Sequence, residues 1–252
     1  MAVPGEFRRG FRVWVVSRVG GYFRNPVREL GITCLACMTP VAAGQERCGT
    51  CAGHLRAMAA GLADQTGFLT WAVSGRQSGF TMRLYKAVPP NPEARAAVMA
   101  ALYFALAFHR ECVERLTGTP ITYWASVPSL PPKAGPHSLQ TLLRPVAPGE
   151  EVVLTARDTT APRALSLDHF TAPSLPAAAH VLLVEDTWTS GGHAQSAAAA
   201  LHAAGAGQVS TLTIARWIDL GWPPSKEFHH HRTQADYDPD VCPWTGSWCP
   251  AA

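Results

Sequence analysis

Residues 180–193 read His-Val-Leu-Leu-Val-Glu-Asp-Thr-Trp-Thr-Ser-Gly-Gly-His, and an alanine-rich stretch follows. Four apolar residues ending in two adjacent acids have the composition of a strand covered on both faces, as in parallel sheets. The hydroxyl- and glycine-rich turn predicts a loop that opens a helix over residues 193–204. Ligands of open α/β sheets collect at the carboxyl ends of strands, where Glu185 and Asp186 fall. Backbone N–H groups of such a loop, and the positive end of the helix, favour a phosphate. The acids repel a phosphate but suit a neutral diol. A phosphorylated ribose meets both demands, with its hydroxyls at Glu185 and Asp186. Its 5′-phosphate would lie along Thr187, Thr189, Ser190, Gly191, Gly192 and His193. The turn is neither a Walker A loop nor a G-x-G-x-x-G dinucleotide fingerprint. An acidic strand end before a plain flexible turn is the bland reading. It leaves the order of strand, acids, glycines and helix without a reason.

A second signal lies near the N-terminus. Cys34-x-x-Cys37 is followed after ten residues by Cys48-x-x-Cys51, with Pro40 and Gly44 between the pairs. Cys34, Cys37, Cys48 and Cys51 in this spacing suit a tetrahedral zinc ion, and a four-sulfur site is ordinarily structural. Iron–sulfur ligation and two local disulfides are the competing readings. Disulfides suit an oxidising compartment, and the rest of the chain reads as cytoplasmic. The expected zinc staples a segment too small to have its own core. Only Arg47 stands near the knuckles, so their link to nucleic acid is weak.

The run from 180 to 193 resembles the phosphoribosyl-pyrophosphate (PRPP) motif of type I phosphoribosyltransferases. The acid pair, Thr189, Ser190 and Gly191 match that pattern. Thr187 and Trp188 stand where aliphatic residues are usual, and His193 replaces a final hydroxyl residue. An N-terminal four-Cys ribbon joined to such a domain resembles the ComF/GntX-like group of competence-associated proteins, over roughly residues 30–218. Ser126, Val127, Pro128 and Ser129 fall where that family's pyrophosphate loop begins. Tyr85-Lys86 stands in place of its Lys-Tyr strand, and Thr213-Ile214-Ala215-Arg216 fits its last strand end. Residues 135–139 replace the family's Arg-Gly-Phe-Asn stretch.

The resemblance implies an α/β fold, a type I phosphoribosyltransferase-like parallel sheet flanked by helices, with a small zinc ribbon. It implies PRPP, or a 5′-phosphoribosyl nucleotide, as ligand together with Mg²⁺. Glu185 and Asp186 would hold the ribose and stabilise an oxocarbenium-like ring. Ser126, Val127, Pro128, Ser129 and Lys133 would take the pyrophosphate, and an unidentified nitrogen acceptor would receive the phosphoribose. Arg157, Asp158, Arg163 and Asp168 are candidates to recognise that acceptor. Two other classes stay open: a non-catalytic PRPP or nucleotide sensor, and a DNA-uptake accessory that meets single-stranded DNA.

The chain has 252 residues, 47% of them hydrophobic and 15% charged, enough for one sizeable core with an appendage. A net charge of +3 does not by itself define a nucleic-acid surface. No apolar run approaches the length of a membrane span. Residues 1–29 read as a basic extension, since Arg18 interrupts the apolar run and no cleavage site follows. Six arginines in residues 1–28 could meet an anionic partner. Residues 30–65 are the expected ribbon, with a short helix from Ala52, and 66–218 the phosphoribosyltransferase-like domain. Within it, 68–74 and 80–87 suggest a strand pair, 93–116 a helix and 122–126 a strand. Residues 131–179 suit a loop or hood with a strand near 152–155. Strands at 181–185 and 208–215 flank the helix at 193–204. Cys112, on the long helix, reads as a packed thiol. The tail, 219–252, carries His229, His230 and His231, then Cys242 and Cys249. A second metal site with two histidines and a reversible disulfide are both open. The favoured reading packs Trp222, Tyr237, Trp244 and Trp248 against the domain.

Overall fold

The computed structural model describes residues 5–58, 60–133, 135 and 137–251. Residues 1–4 of the basic extension, and Pro136 of the stretch after the pyrophosphate loop, lie outside them. The elements run α1 (Gly5–Val19), α2 (Gly49–Ala57), β1 (Gln65–Val73), α3 (Gln77–Leu84), α4 (Pro92–Phe108), α5 (Arg110–Thr117), β2 (Tyr123–Ser126) and α6 (Ser138–Leu143). Then come β3 (Glu150–Glu151), β4 (Thr155–Ala156), β5 (Phe170–Thr171), β6 (His180–Trp188), α7 (Gly192–Ala203), β7 (Gln208–Ile218) and α8 (Pro223–Arg232).

A parallel sheet in the order β1-β7-β6-β2-β3 forms the centre, and β4 pairs with β5 in a separate antiparallel ribbon. Helices cover both faces, which is why β6 opens on an unbroken apolar run and why even Ser210, Thr211 and Thr213 of β7 are buried. On one face Leu182 and Val184 meet α4 and α6; on the other Val181 and Leu183 meet the alanines of α7. The alanines let α7 lie close to the sheet. From β2 the chain moves outward to β3, and from β6 it moves the other way to β7. The loops after β2 and β6 therefore diverge at their shared edge, the place where open sheets take ligands.

Several elements differ from the sequence reading. Residues 80–87 are not a strand: α3 covers Gln77–Leu84 and buries Ser78, Thr81 and Met82, with Tyr85 next on that face, at helical spacing. The Ser78 hydroxyl accepts the Val73 N–H at 3.0 Å, turning the chain from β1 into this helix. The long helix expected at 93–116 is two helices. Asn91 caps α4 by accepting the Ala94 N–H at 2.8 Å, and the chain bends by 46° at His109 before α5. The strand expected near 152–155 is replaced by two short strands, β3 and β4, on either side. β6 runs on through the acids to Trp188 because β7 pairs with it as far as Arg216. Among the described residues, no single helix is long and apolar enough to cross a membrane.

The segment expected as a basic extension is packed. Val15, Val19 and Phe23 are buried, and α1 lies on α4 with Phe11 edge-on to Phe104 at 5.6 Å. Arg8 pairs with Asp240 at 2.7 Å, and Arg12 with Asp238 and Asp240 at 3.1 and 2.8 Å. Asn25 and Asp238 exchange two hydrogen bonds of 2.8 Å, and the Tyr237 N–H donates to the Gly20 carbonyl at 3.1 Å. Arg18 stacks on Trp14, Arg24 donates to backbone carbonyls, and Arg28 donates to the carbonyls of Leu35 and Thr66.

Candidate functional site

A cleft of about 410 Å³ opens at the carboxyl end of β6. Glu185, Asp186, Thr187, Thr189, Ser190, Gly191, Gly192 and His193 all line it, joined by Arg83 and Lys86 from the end of α3 and Arg163 from the hood. The two carboxylates have different surroundings. Asp186 Oδ2 accepts from the Tyr85 hydroxyl at 2.8 Å and from Lys86 Nζ at 2.6 Å. Burial opposes its ionisation, but the ammonium and the phenol outweigh that and hold it below the ordinary carboxyl range. Glu185 is 5% exposed, and its Oε2 is buried without a hydrogen-bond partner. Burial first, then the neighbouring Asp186 charge, raises its carboxyl well above the usual range. The two neighbouring carboxyls are thus pushed in opposite directions, Glu185 up by burial and Asp186 down by its ammonium and phenol partners.

The loop after the strand is shorter than its sequence suggests, since Thr187 and Trp188 belong to β6. Gly191 has φ +86°, and a Cβ there would lie 2.3 Å from the Trp188 ring, itself packed edge-on against Phe68. A bulky residue at 188 thus demands glycine at 191. Gly192 faces the hood instead: a Cβ would meet the Arg163 carbonyl at 2.1 Å and that of Ala164 at 2.8 Å. Ser190 Oγ donates to the same Arg163 carbonyl at 3.2 Å, so this hydroxyl is turned to the hood. His193 Nε2 is buried without a hydrogen-bond partner, and burial lowers the pKa of the ring. The donors lining the cleft are the loop and α7 backbone amides, Arg83 and Arg163, together with Lys86, which is paired with Asp186.

The predicted pyrophosphate residues divide between two places. Pro128, Ser129 and Lys133 line a neighbouring cleft of about 430 Å³ with Tyr85, Lys86 and His137. Val127 is buried, and its N–H donates to the Val184 carbonyl at 3.0 Å; Ser126 ends β2 beside Val184. Neither lines a cleft. Lys86 lines both clefts and forms the wall between them. Of the hood candidates, Arg163 alone reaches the first cleft; Arg157, Asp158 and Asp168 line neither.

Cys34, Cys37, Cys48 and Cys51 bring their sulfurs within 4.8 Å of one another, and Cys37 and Cys48 are 3.7 Å apart. Tetrahedral zinc with Zn–S bonds of ~2.3 Å sets sulfurs roughly 3.8 Å apart. Proton sharing among the crowded thiols draws Cys34 and Cys37 below the usual thiol range against their burial, and with burial pushes Cys48 and Cys51 above it. The tetrad fits a structural cation, which replaces those shared protons.

Arg216, 7% exposed on β7, joins this tetrad to the cleft. It donates to the Cys37 carbonyl at 2.9 Å, the Thr39 hydroxyl at 2.6 Å, and the carbonyls of Trp188 and Thr189 at 3.0 and 2.9 Å. Sequence reading found Arg216 only as a strand-end match and missed this link, because most of its partners are backbone carbonyls that leave no mark in the sequence.

The tail meets its expectation in part. Tyr237 and Trp244 are buried, whereas Trp222 and Trp248 are 50% and 89% exposed. Cys242 and Cys249 gather not with residues 229–231 but with His109 and Cys112, so Cys112 is not merely a packed thiol. No protein-family model matches the chain, and no curated protein matches its sequence.

Proposed function

We propose that the chain is a phosphoribosyltransferase-like protein, related to the ComF/GntX-like group, that binds PRPP with Mg²⁺ at the carboxyl end of β6. One observation carries this reading: the acid pair and the glycine loop opening α7 line a single cleft, ringed by Arg83, Lys86 and Arg163. The loop and α7 amides take the 5′-phosphate. Glu185 Oε2, buried and unpartnered, takes a ribose hydroxyl. Ionised Asp186 sits beside the ring, where positive charge develops when the bond to pyrophosphate breaks. Lys86, on the wall between the clefts, reaches the pyrophosphate, with Ser129 and Lys133 beyond it. Bound Mg²⁺ would neutralise charge on the leaving pyrophosphate. Transfer of phosphoribose to a nitrogen acceptor under the hood is the enzymatic form of the reading.

Calorimetric titration of zinc-loaded protein with PRPP and Mg²⁺, beside Asp186→Ala, is the test. Micromolar binding lost in the variant supports the site, and no heat at millimolar PRPP sinks it. Pyrophosphate release in a screen of nitrogen acceptors would make the protein a transferase; binding without release would make it a sensor. The competence-accessory role that the ComF resemblance implies rests on salt-dependent binding of single-stranded DNA.

A further inference from the structure

We propose that His109, Cys112, Cys242 and Cys249 form a second zinc site, which fastens the tail to the joint between α4 and α5. Their ligand atoms all lie within 4.8 Å of one another, although two come from the joint and two from more than a hundred residues later in the chain. His109 Nδ1 is 3.4 Å from Cys249 Sγ and 4.0 Å from Cys112 Sγ. A tetrahedral zinc with bonds of ~2.05 Å to nitrogen and ~2.3 Å to sulfur sets those atoms roughly 3.6 Å apart. The same spacing logic describes the N-terminal tetrad.

The imidazole is oriented as a metal requires. Its Nε2 lies 2.9 Å from the Pro239 carbonyl, which can only accept, so Nε2 donates there and Nδ1 is turned to the sulfurs. A backbone carbonyl behind a ligating histidine is the usual orienting partner. His109, Cys112 and Cys242 are 1%, 2% and 0% exposed, and Cys249 is partly so. Burying three thiols and an imidazole against each other gains little from packing alone, and a cation answers all four at once.

The surroundings explain the wide Cys242–Cys249 spacing. The Cys242 N–H donates to the Ser247 carbonyl at 2.9 Å and the Gly246 N–H to the Cys242 carbonyl at 2.8 Å, folding the intervening residues into a tight turn. Gly246, at φ +72°, supplies the left-handed conformation this turn needs. Trp244 within it donates its indole N–H to the His109 carbonyl at 3.0 Å and lies on Gly67, where a Cβ would come within 2.7 Å of the ring. The Pro243 carbonyl accepts the Phe68 N–H at 3.2 Å, extending β1 with tail backbone. None of the seven cysteines is joined in a disulfide in the structure.

The test is native mass spectrometry of the full chain purified with zinc present, followed by alkylation of the folded protein. Two zinc ions per chain are expected, one for each cluster, with Cys112, Cys242 and Cys249 protected from alkylation until a chelator is added. Cys249→Ser, the least buried ligand, should reduce the count from two to one and leave Cys34, Cys37, Cys48 and Cys51 protected. A single zinc in the unmodified chain overturns the proposal, as does ready alkylation of the three tail-site cysteines or a Cys242–Cys249 disulfide in the non-reduced protein. The unmodified chain decides the matter even if the variant fails to fold.

Discussion

Arg216 stands between Cys37 and Thr189, donating to the carbonyl of each at 2.9 Å. One buried guanidinium thus belongs to the four-Cys segment and to the loop of the cleft together. Lysine keeps the charge but cannot span both partners with a planar fork. Arg216→Lys should weaken PRPP binding at least tenfold, about 1.4 kcal/mol. Arg216→Ala should also destabilise the fold by about 3 kcal/mol, because several buried carbonyls lose their donor. Calorimetry and urea melts measure the two effects, and unchanged affinity in the lysine variant would uncouple the ribbon from the cleft.

Glu185 gives the fold a defined pH dependence. Its carboxyl titrates higher in the folded protein than in the unfolded chain. The stability this contributes is complete below the ordinary glutamate range and is lost as pH rises toward the raised value. Within that window the loss is about 1.4 kcal/mol per pH unit. Glu185→Gln keeps the shape and cannot ionise, so its melting temperature should fall less than that of the wild type as pH rises above the ordinary glutamate range. Parallel pH profiles in both proteins would refute a raised Glu185 carboxyl.

Lys86 separates ligands by their second phosphate. It lies on the wall between the clefts, so Lys86→Met should weaken PRPP and pyrophosphate tenfold or more and ribose 5-phosphate less. The same variant leaves Asp186 with only the Tyr85 hydroxyl. Asp186, held low when folded, contributes stability that is present above the ordinary aspartate range and lost as pH falls through the lowered value. Lys86→Met should therefore be less stable than the wild type at neutral pH, with the gap narrowing as pH falls through the aspartate range. Equal losses for all three ligands would remove Lys86 from the pyrophosphate path.

Gly192→Ala tests the seat of the hood. The added methyl would lie 2.1 Å from the Arg163 carbonyl, a clash that backbone alone must relieve. Lifting the hood should cost roughly 2 kcal/mol, in the range for overpacking a close contact. It should also speed proteolysis within residues 157–171. Native resistance to protease in this variant would mean that the hood is not seated on α7.

The parts legible in the sequence are those whose chemistry is contiguous. β6, its loop and α7 carry strand composition, ligand groups and helix signal in one run, and the N-terminal knuckles place four ligands within eighteen residues. α3 was illegible because half of its buried face is Ser78 and Thr81, whose hydroxyls hide a helical period that apolar residues would have revealed. His109 looks like an interior residue of an apolar helix until the bend and the returning tail give it partners. That the Asp186 carboxyl is held low follows from Lys86 and Tyr85, a hundred residues away, and that Glu185 is pushed up follows from its burial; adjacency alone carries no such information.

The bonds between α1 and the tail have a consequence for how the molecule opens. Arg8 and Arg12 hold Asp238 and Asp240, Asn25 holds Asp238, and Tyr237 holds Gly20. Neither segment can fray alone without breaking its hold on the other. Their backbone amides should therefore exchange with solvent as one cooperative unit, through a common opening, rather than in the graded order of two independent loose ends.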